Sequence, residues 1–136
     1  MAESEVERIT RETMAAWNAD AWERFEDLWD PEAEVVTPSA WPEAGTFRGW
    51  AEIRAEYERL KETWSADSVE VLALEPRGDR ALAHGRWVGI GQTSGFPFDL
   101  EVWWVHEVRD GRNLRLEYFM DEESARRAFD RGMPPK

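Results

Sequence analysis

Between Arg80 and Asp121, ionisable side chains recur among bulky apolar ones: His84 and Arg86, then His106, then Glu117. Such a set is suited to proton chemistry. A carboxyl like that of Glu117 serves as a general acid or base when burial lifts its pKa toward the working pH, while a nearby guanidinium or imidazolium holds it down. Arg86 suits a substrate carboxylate or a developing enolate oxygen, and either imidazole suits proton shuttling near neutrality. The competing reading is a buried, catalytically idle Arg86–Glu117 ion pair with two satisfied core histidines. Asp121 is a further carboxylate, whose other role is to cap a helix.

The elements that carry these residues are three strand-like runs joined by two turn signals, Thr93-Ser94-Gly95-Phe96-Pro97 and Asp110-Gly111. Period-2 counting sets Leu82, His84, Arg86, Val88 and Ile90 against Ala83, Gly85, Trp87 and Gly89 on the first run. On the second, Leu100, Val102, Trp104 and His106 oppose Glu101, Trp103, Val105 and Glu107. On the third, Arg115, Glu117 and Phe119 oppose Leu114, Leu116, Tyr118 and Met120. Both parities carry large apolar side chains, so both sheet faces are expected to be covered. One cover is the chain's own helices; the other is most simply a second copy, because a wide apolar patch marks an interaction site.

Upstream, Ser4-x-x-Glu7 reads as a capping box, and Val6, Ile9, Thr13, Met14 and Trp17 recur at helical spacing up to Asn18. Asp20-x-x-Glu23 opens a second helix carrying Trp22, Phe25, Leu28 and Trp29, stopped by Asp30-Pro31. Glu34 to Thr37 is a short strand. After the loop from Pro38 to Gly45, a third helix presents Trp50, Ile53, Tyr57, Leu60 and Trp64 as one stripe. Ser68 to Glu75 alternates as a strand, and Pro76-Arg77-Gly78-Asp79 turns the chain into the three-run segment. A last helix follows Asp121 and ends at Gly132 and Pro134-Pro135. Helices and strands segregated in this way predict an α+β fold, with a curved antiparallel sheet packed on the helices.

The chain has 136 residues, enough for one domain over residues 1–136, with an ordered core from about residue 4 to about residue 131. It has no cysteine, which excludes thiolate catalysis and Cys-ligated metal sites. The formal net charge of −12 opposes phosphate backbones and anionic lipid surfaces, so neither nucleic acid nor membrane is an expected partner. With no signal-like start and no long apolar run, a cytoplasmic location is the expectation. Two histidines with scattered carboxylates give no metal-ligand spacing, and no glycine-rich run precedes a helix, so no metal or cofactor is expected. Nine tryptophans spread along the chain favour an aromatic-walled pocket.

Several landmarks together resemble the SnoaL-like branch of the nuclear transport factor 2 superfamily. They are Trp17-Asn18-Ala19-Asp20, Leu28-Trp29-Asp30-Pro31-Glu32-Ala33-Glu34, Gly45-Thr46-Phe47-Arg48-Gly49, Ser94-Gly95, Val108-Arg109-Asp110-Gly111 and Glu117-Tyr118-Phe119-Met120-Asp121. The match spans nearly the whole chain and is specific for the fold. It implies a cone of strands around a pocket closed by the helices, and commonly a homodimer through the outer sheet face. Family members include isomerases, dehydratases, epoxide hydrolases, polyketide cyclases and proteins without a known reaction, so activity must be argued from the site. Compared with ketosteroid isomerase, the general-base position corresponds to Thr37 before Pro38, the helix-1 tyrosine to Thr13 and the second acid to Trp104. That mechanism therefore lacks its residues here.

Matching strand parity to the family pattern puts His84, Arg86, Trp104, His106, Glu117 and Phe119 on the concave face. A one-residue shift would reverse it. On this assignment Glu117, Arg86, His84 and His106, with Asp121 next, form the catalytic set, and the family's cyclases use a last-strand carboxylate in Glu117's way. Trp17, Thr37, Trp41, Tyr57, Trp104 and Phe119 form the ligand-binding wall and rim. The opposite parity, Trp87, Trp103, Val105, Leu116 and Tyr118, becomes the expected homodimer face. The function implied is a small-molecule pocket protein acting by cofactor-independent proton transfer, as a cyclase, isomerase or dehydratase, on a small apolar substrate. The alternative is a dimeric ligand-binding module without turnover.

Overall fold

The computed structural model describes residues 4–39, 41, 44–91 and 94–131, with Ser65 described by its backbone alone. The expected stop at Gly132 and Pro134-Pro135 and Thr93 of the first turn signal lie outside the described residues. The first helix, α1 (Glu5–Asn18), opens on the expected capping box: Ser4 Oγ accepts from the Glu7 N–H, and the Glu7 carboxylate accepts from the Ser4 N–H. Its buried stripe is Val6, Ile9, Thr10, Thr13, Met14, Ala16 and Trp17.

The second helix, α2 (Trp22–Asp27), is shorter than expected at both ends. Asp20 is not its cap; it adopts a left-handed turn with φ 54°, and Ala21 stands at the cap position without a side-chain bond. Trp29 leaves the helix to begin β1 (Trp29–Thr37), where it pairs with Asn113 while the Leu28 carbonyl accepts from the Asn113 N–H at 2.7 Å. Strand pairing captures the backbone there, and Pro31 already biases Asp30 toward extended geometry. The segment Gly45–Arg48, to which the sequence pattern assigns no element beyond the end of the loop at Gly45, is strand β2, antiparallel to β1.

Helix α3 (Trp50–Thr63) buries Ile53, Tyr57 and Leu60, but Trp64 begins β3 (Trp64–Arg77) rather than completing the helical stripe. Then come β4 (Arg80–Gly91), β5 (Pro97–Arg109), β6 (Arg112–Phe119) and α4 (Glu122–Arg131). Asp121 caps α4, its Oδ1 accepting from the Ser124 N–H at 2.7 Å. The six strands lie in the order β2-β1-β6-β5-β4-β3. All neighbours are antiparallel except β1 and β6, which run parallel, so the sheet is mixed. The result is an α+β fold whose curved sheet wraps the N-terminal helices around a cavity.

Register decides the faces. Leu82 pairs with Val105 and Val105 with Glu117, so even positions of β4 share a face with odd positions of β5 and β6. The expected grouping joined even β4 to even β5 and is corrected by one residue. Inside lie Ala83, Trp104 and Tyr118 in one cross-strand row, with Gly85 opposite Val102 and Trp87 opposite Val69 in the rows beside it. Gly85 is required there, since a Cβ at that position would stand 2.7 Å from Trp104 Cζ3.

The outer face explains why the second parity is also apolar. Leu82 and Val105 are buried beneath Ala125, Ala128 and Phe129 of α4, with Trp103 and Phe119 packed alongside. The chain's own last helix therefore covers part of the surface expected to meet a second copy. Beyond it, the outer face carries a ladder of alternating charge, Arg80, Glu107, Arg115, Glu34 and Arg48, one residue from each of five paired strands.

Candidate functional site

The cavity forms where α1, α2 and α3 face the inner rows of the sheet. Its walls are Thr13, Met14 and Trp17 from α1, Phe25 from α2, Tyr57 and Leu60 from α3, and Val69, Trp87, Val102, Trp104 and Tyr118 from the strands. Trp41 joins from the connection between β1 and β2, its ring 5.1 Å from Tyr118 and 5.8 Å from Trp87. The space between the walls, its open mouth included, is about 500 Å³, and most of it is a narrow slot. Its freely open part, about 40 Å³, holds roughly three waters at ~10–15 Å³ each.

Tyr57 and Tyr118 bond hydroxyl to hydroxyl at 2.9 Å in this wall. Burial pushes both phenols up, Tyr118 to about 12, and the adjacent Tyr118 oxygen raises Tyr57 further. Both are protonated at neutral pH. One proton of the pair joins the two oxygens, and the other has no acceptor among the described residues. Trp104 Nε1, also in the wall, is buried without a partner among the described residues.

Two other wall indoles are anchored. Trp17 Nε1 and Trp87 Nε1 both donate to Asp67 Oδ2, at 2.7 and 2.8 Å. Lys61 Nζ donates to Asp67 Oδ1 at 3.1 Å. Asp67 escaped the sequence reading, although it is in phase with the inward Val69 on β3.

Behind the wall runs a polar chain. His106 is fully buried, which lowers its pKa to about 4 against a smaller opposing effect of Asn113, so the imidazole is neutral. Because Asn113 Oδ1 only accepts, His106 Nε2 carries the hydrogen, while Nδ1 lies 2.9 Å from Thr10 Oγ1, whose single hydroxyl hydrogen also faces the Val6 carbonyl at 2.8 Å. The Asn113 amide donates to Thr13 Oγ1 at 2.9 Å, and Thr13 donates to the Ile9 carbonyl at 2.6 Å. The chain thus links His106 to a wall residue while keeping the imidazole itself out of the cavity.

The expected catalytic set does not converge. His84, Arg86 and Glu117 lie on the outer face, because their parity pairs with Trp103, Glu101 and Val105 rather than with Trp104 and His106. Arg86 is exposed and holds Asp99 in a two-pronged ion pair, with one contact at 2.7 Å. His84 stacks on Trp103 at 4.7 Å and meets Glu101 at 3.2 Å. Glu117 bonds Arg115 at 3.3 Å, not Arg86, and Asp121 is engaged in its cap. Of the expected wall, Trp17, Trp41, Tyr57 and Trp104 line the cavity. Thr37 instead accepts from the Gly45 N–H across the β1–β2 connection, and Phe119 packs under α4. Of the expected dimer face, Trp87 and Tyr118 line the cavity and Leu116 is buried on the same inward face, while Trp103 and Val105 face outward. Among the described residues, no three His, Asp or Glu side chains are grouped to hold a metal ion.

The SnoaL-like domain profile matches residues 10–115. No curated protein matches. Among solved structures, TerC co-crystallised with polyporic acid superposes with a TM-score of 0.77 at 18% identity, covering 93% of this chain and 99% of TerC. An NTF2-like protein of unknown function from Burkholderia pseudomallei gives 0.78 at 17% identity, covering 92% and 97%. Another NTF2-like protein, from Burkholderia thailandensis, gives 0.76 at 26% identity, covering 94% and 98%.

Proposed function

The chain belongs to the SnoaL-like domain family, and from that premise we propose that it binds a small, planar, largely apolar molecule in the cavity. The observation that carries this reading is the wall. Among its described residues stand seven aromatic side chains, four aliphatic ones and the Thr13 hydroxyl, and no carboxylate, imidazole, ammonium or guanidinium. A surface of this kind recognises ligands by burying apolar area, worth roughly 25 cal/mol per Å². A wall with no charged side chain among its described residues gives an anionic guest no partner for its charge, and the burial that raises both phenols disfavours such a guest too, so a neutral ligand fits best. The likeness in fold to TerC, co-crystallised with polyporic acid, supports a small-molecule role.

The test uses N-phenyl-1-naphthylamine, a neutral fluorescent aromatic. Saturable binding near one per chain, with energy transfer from tryptophan and weakening by Trp104→Ala, is the expected result. Absence of saturable binding would reject the reading.

The uncommitted phenolic proton favours a second reading, in which the cavity turns its ligand over. Here a phenol of the Tyr57–Tyr118 pair stabilises negative charge growing on a substrate oxygen during cyclisation, isomerisation or dehydration. Once a substrate is in hand, Tyr118→Phe should lose about 10²–10³ in turnover with little change in KM; equal rates would remove this reading.

For assembly, the strip of the outer face at the edge of α4, where Trp103 is partly exposed beside His84 and Glu101, is the surface proposed for a homodimer. Sedimentation of the wild type as a dimer and of Trp103→Glu as a monomer would support it. A wild-type monomer at micromolar concentration would not.

A further inference from the structure

Four elements meet at one carboxylate. Asp67, on β3, has a side chain only 3% exposed, and among the described residues its carboxylate is held by donors from three other elements. Its Oδ2 accepts the indole N–H of Trp17 from α1 and of Trp87 from β4, and its Oδ1 accepts the ammonium of Lys61 from α3. Lys61 in turn grips Trp17 twice more: Nζ lies 4.1 Å from the centre of its ring and donates to its backbone carbonyl at 2.8 Å. The ammonium, itself only 15% exposed, also pairs with Asp20 at 2.9 Å. Trp17 is therefore held by its N–H, its face and its carbonyl at once.

The protein's other buried indoles show what this arrangement is for. Trp29, Trp50, Trp64 and Trp104 leave their N–H groups buried without a partner among the described residues. The fold thus tolerates unpaired indole donors in several places. At Trp17 and Trp87 it instead spends a buried carboxylate and a lysine, a combination whose desolvation is expensive. Both of these indoles are walls of the cavity, and Trp41, the wall residue with the least support from regular structure, packs on Trp87. An N–H held from outside fixes the plane of a large flat side chain, and two planes fixed on one oxygen set the width of the slot between them.

We infer that Asp67 is the positioning residue of the cavity: through Trp17 and Trp87, and backed by Lys61, its carboxylate sets the slot that admits an aromatic guest. The inference rests on the reading of the cavity as a binding site. It assigns Asp67 no contact with the ligand. Removing the carboxylate frees both indoles to turn into the slot, whereas Asp67→Asn retains one acceptor oxygen for them and loses the hold on Lys61.

The experiment measures N-phenyl-1-naphthylamine affinity at a temperature where each variant is folded, together with near-ultraviolet circular dichroism of the indole bands. Asp67→Ala should weaken binding about tenfold, and Asp67→Asn by about two- to threefold. Made in a Trp17→Phe/Trp87→Phe background, Asp67→Ala should change affinity by less than about twofold, because the groups through which it acts no longer carry an N–H. A merely structural aspartate would lower the melting temperature in both backgrounds and show no such dependence. Equal losses in the two backgrounds, or unchanged affinity in Asp67→Ala, overturn the inference. If Asp67→Ala does not fold, Asp67→Asn carries the same comparison. If the wild type binds no probe, the binding reading falls separately, and unchanged indole dichroism in the Asp67 variants overturns the positioning role on its own.

Discussion

At the scale of single residues, the structure separates side chains that type and spacing had put together. His84, Arg86 and Glu117 form outward ion pairs and stacks, so His84→Ala, Arg86→Met and Glu117→Gln should each leave probe affinity within about twofold of wild type, as surface substitutions remote from the wall should. A larger loss in any of the three would return that residue to the site. Gly85→Ala is the opposite case. Its new Cβ would meet Trp104 at 2.7 Å and the Glu70 carbonyl at 3.0 Å, neither of which yields easily, and a destabilisation of about 1–3 kcal/mol should appear in denaturant titration.

His106 adds a dependence on pH. Its folded pKa, about 4, lies below the usual value of 6.5, so the unfolded chain binds a proton that the native state refuses. Stability from this residue is complete above pH 6.5 and is lost as pH falls toward 4, by about 3 kcal/mol in all. Urea titrations of wild type and His106→Gln across that window isolate the effect, since carboxylate titration is common to both. Parallel pH profiles would show that the imidazole is not held neutral.

At the scale of elements, α4 carries more than its position near the chain end suggests. Phe129 is fully buried against Leu82 and Val105, and its backbone carbonyl accepts from Arg80 at 2.6 Å while the Arg77 guanidinium lies 4.2 Å from its ring centre. Phe129→Ala should cost about 3–5 kcal/mol, read as a fall in denaturant midpoint. It should also expose the apolar strip of Leu82, Val105, Trp103 and Phe119, detectable as new binding of a hydrophobic dye. A small loss without dye binding would mean that the helix merely rests on the sheet. The parallel pairing of β1 with β6 has an equally concrete consequence, because it brings Glu34 beside Arg115 at 2.7 Å and draws Glu117 into the same outer network.

At the scale of the whole molecule, the two sides of the sheet have different tasks. The inner side encloses aromatic walls between sheet and helices, with polar groups either tied behind the wall or held by Asp67. The outer side is divided between α4 and charged rows, in keeping with a chain whose formal net charge is −12. Among the described residues no helix is long and apolar enough to cross a membrane.

The sequence alone determined the elements that depend on neighbours a few residues apart: the Ser4 capping box, the α1 stripe, the turn at Asp110-Gly111 and the Asp121 cap. It also carried the family, because caps, turns and core positions recur at fixed places along the chain. Which residues share a strand face was equally legible, since that follows from a period of two. Which face of one strand adjoins which face of the next was not, because it depends on hydrogen-bond register across a hairpin, and one residue of offset moves every side chain to the other side. That offset alone took Glu117 and Arg86 outward and brought Trp87 and Tyr118 inward. Asp67 was hidden for a related reason: its partners stand 6, 20 and 50 positions away, and only the packed structure brings their donors to one carboxylate.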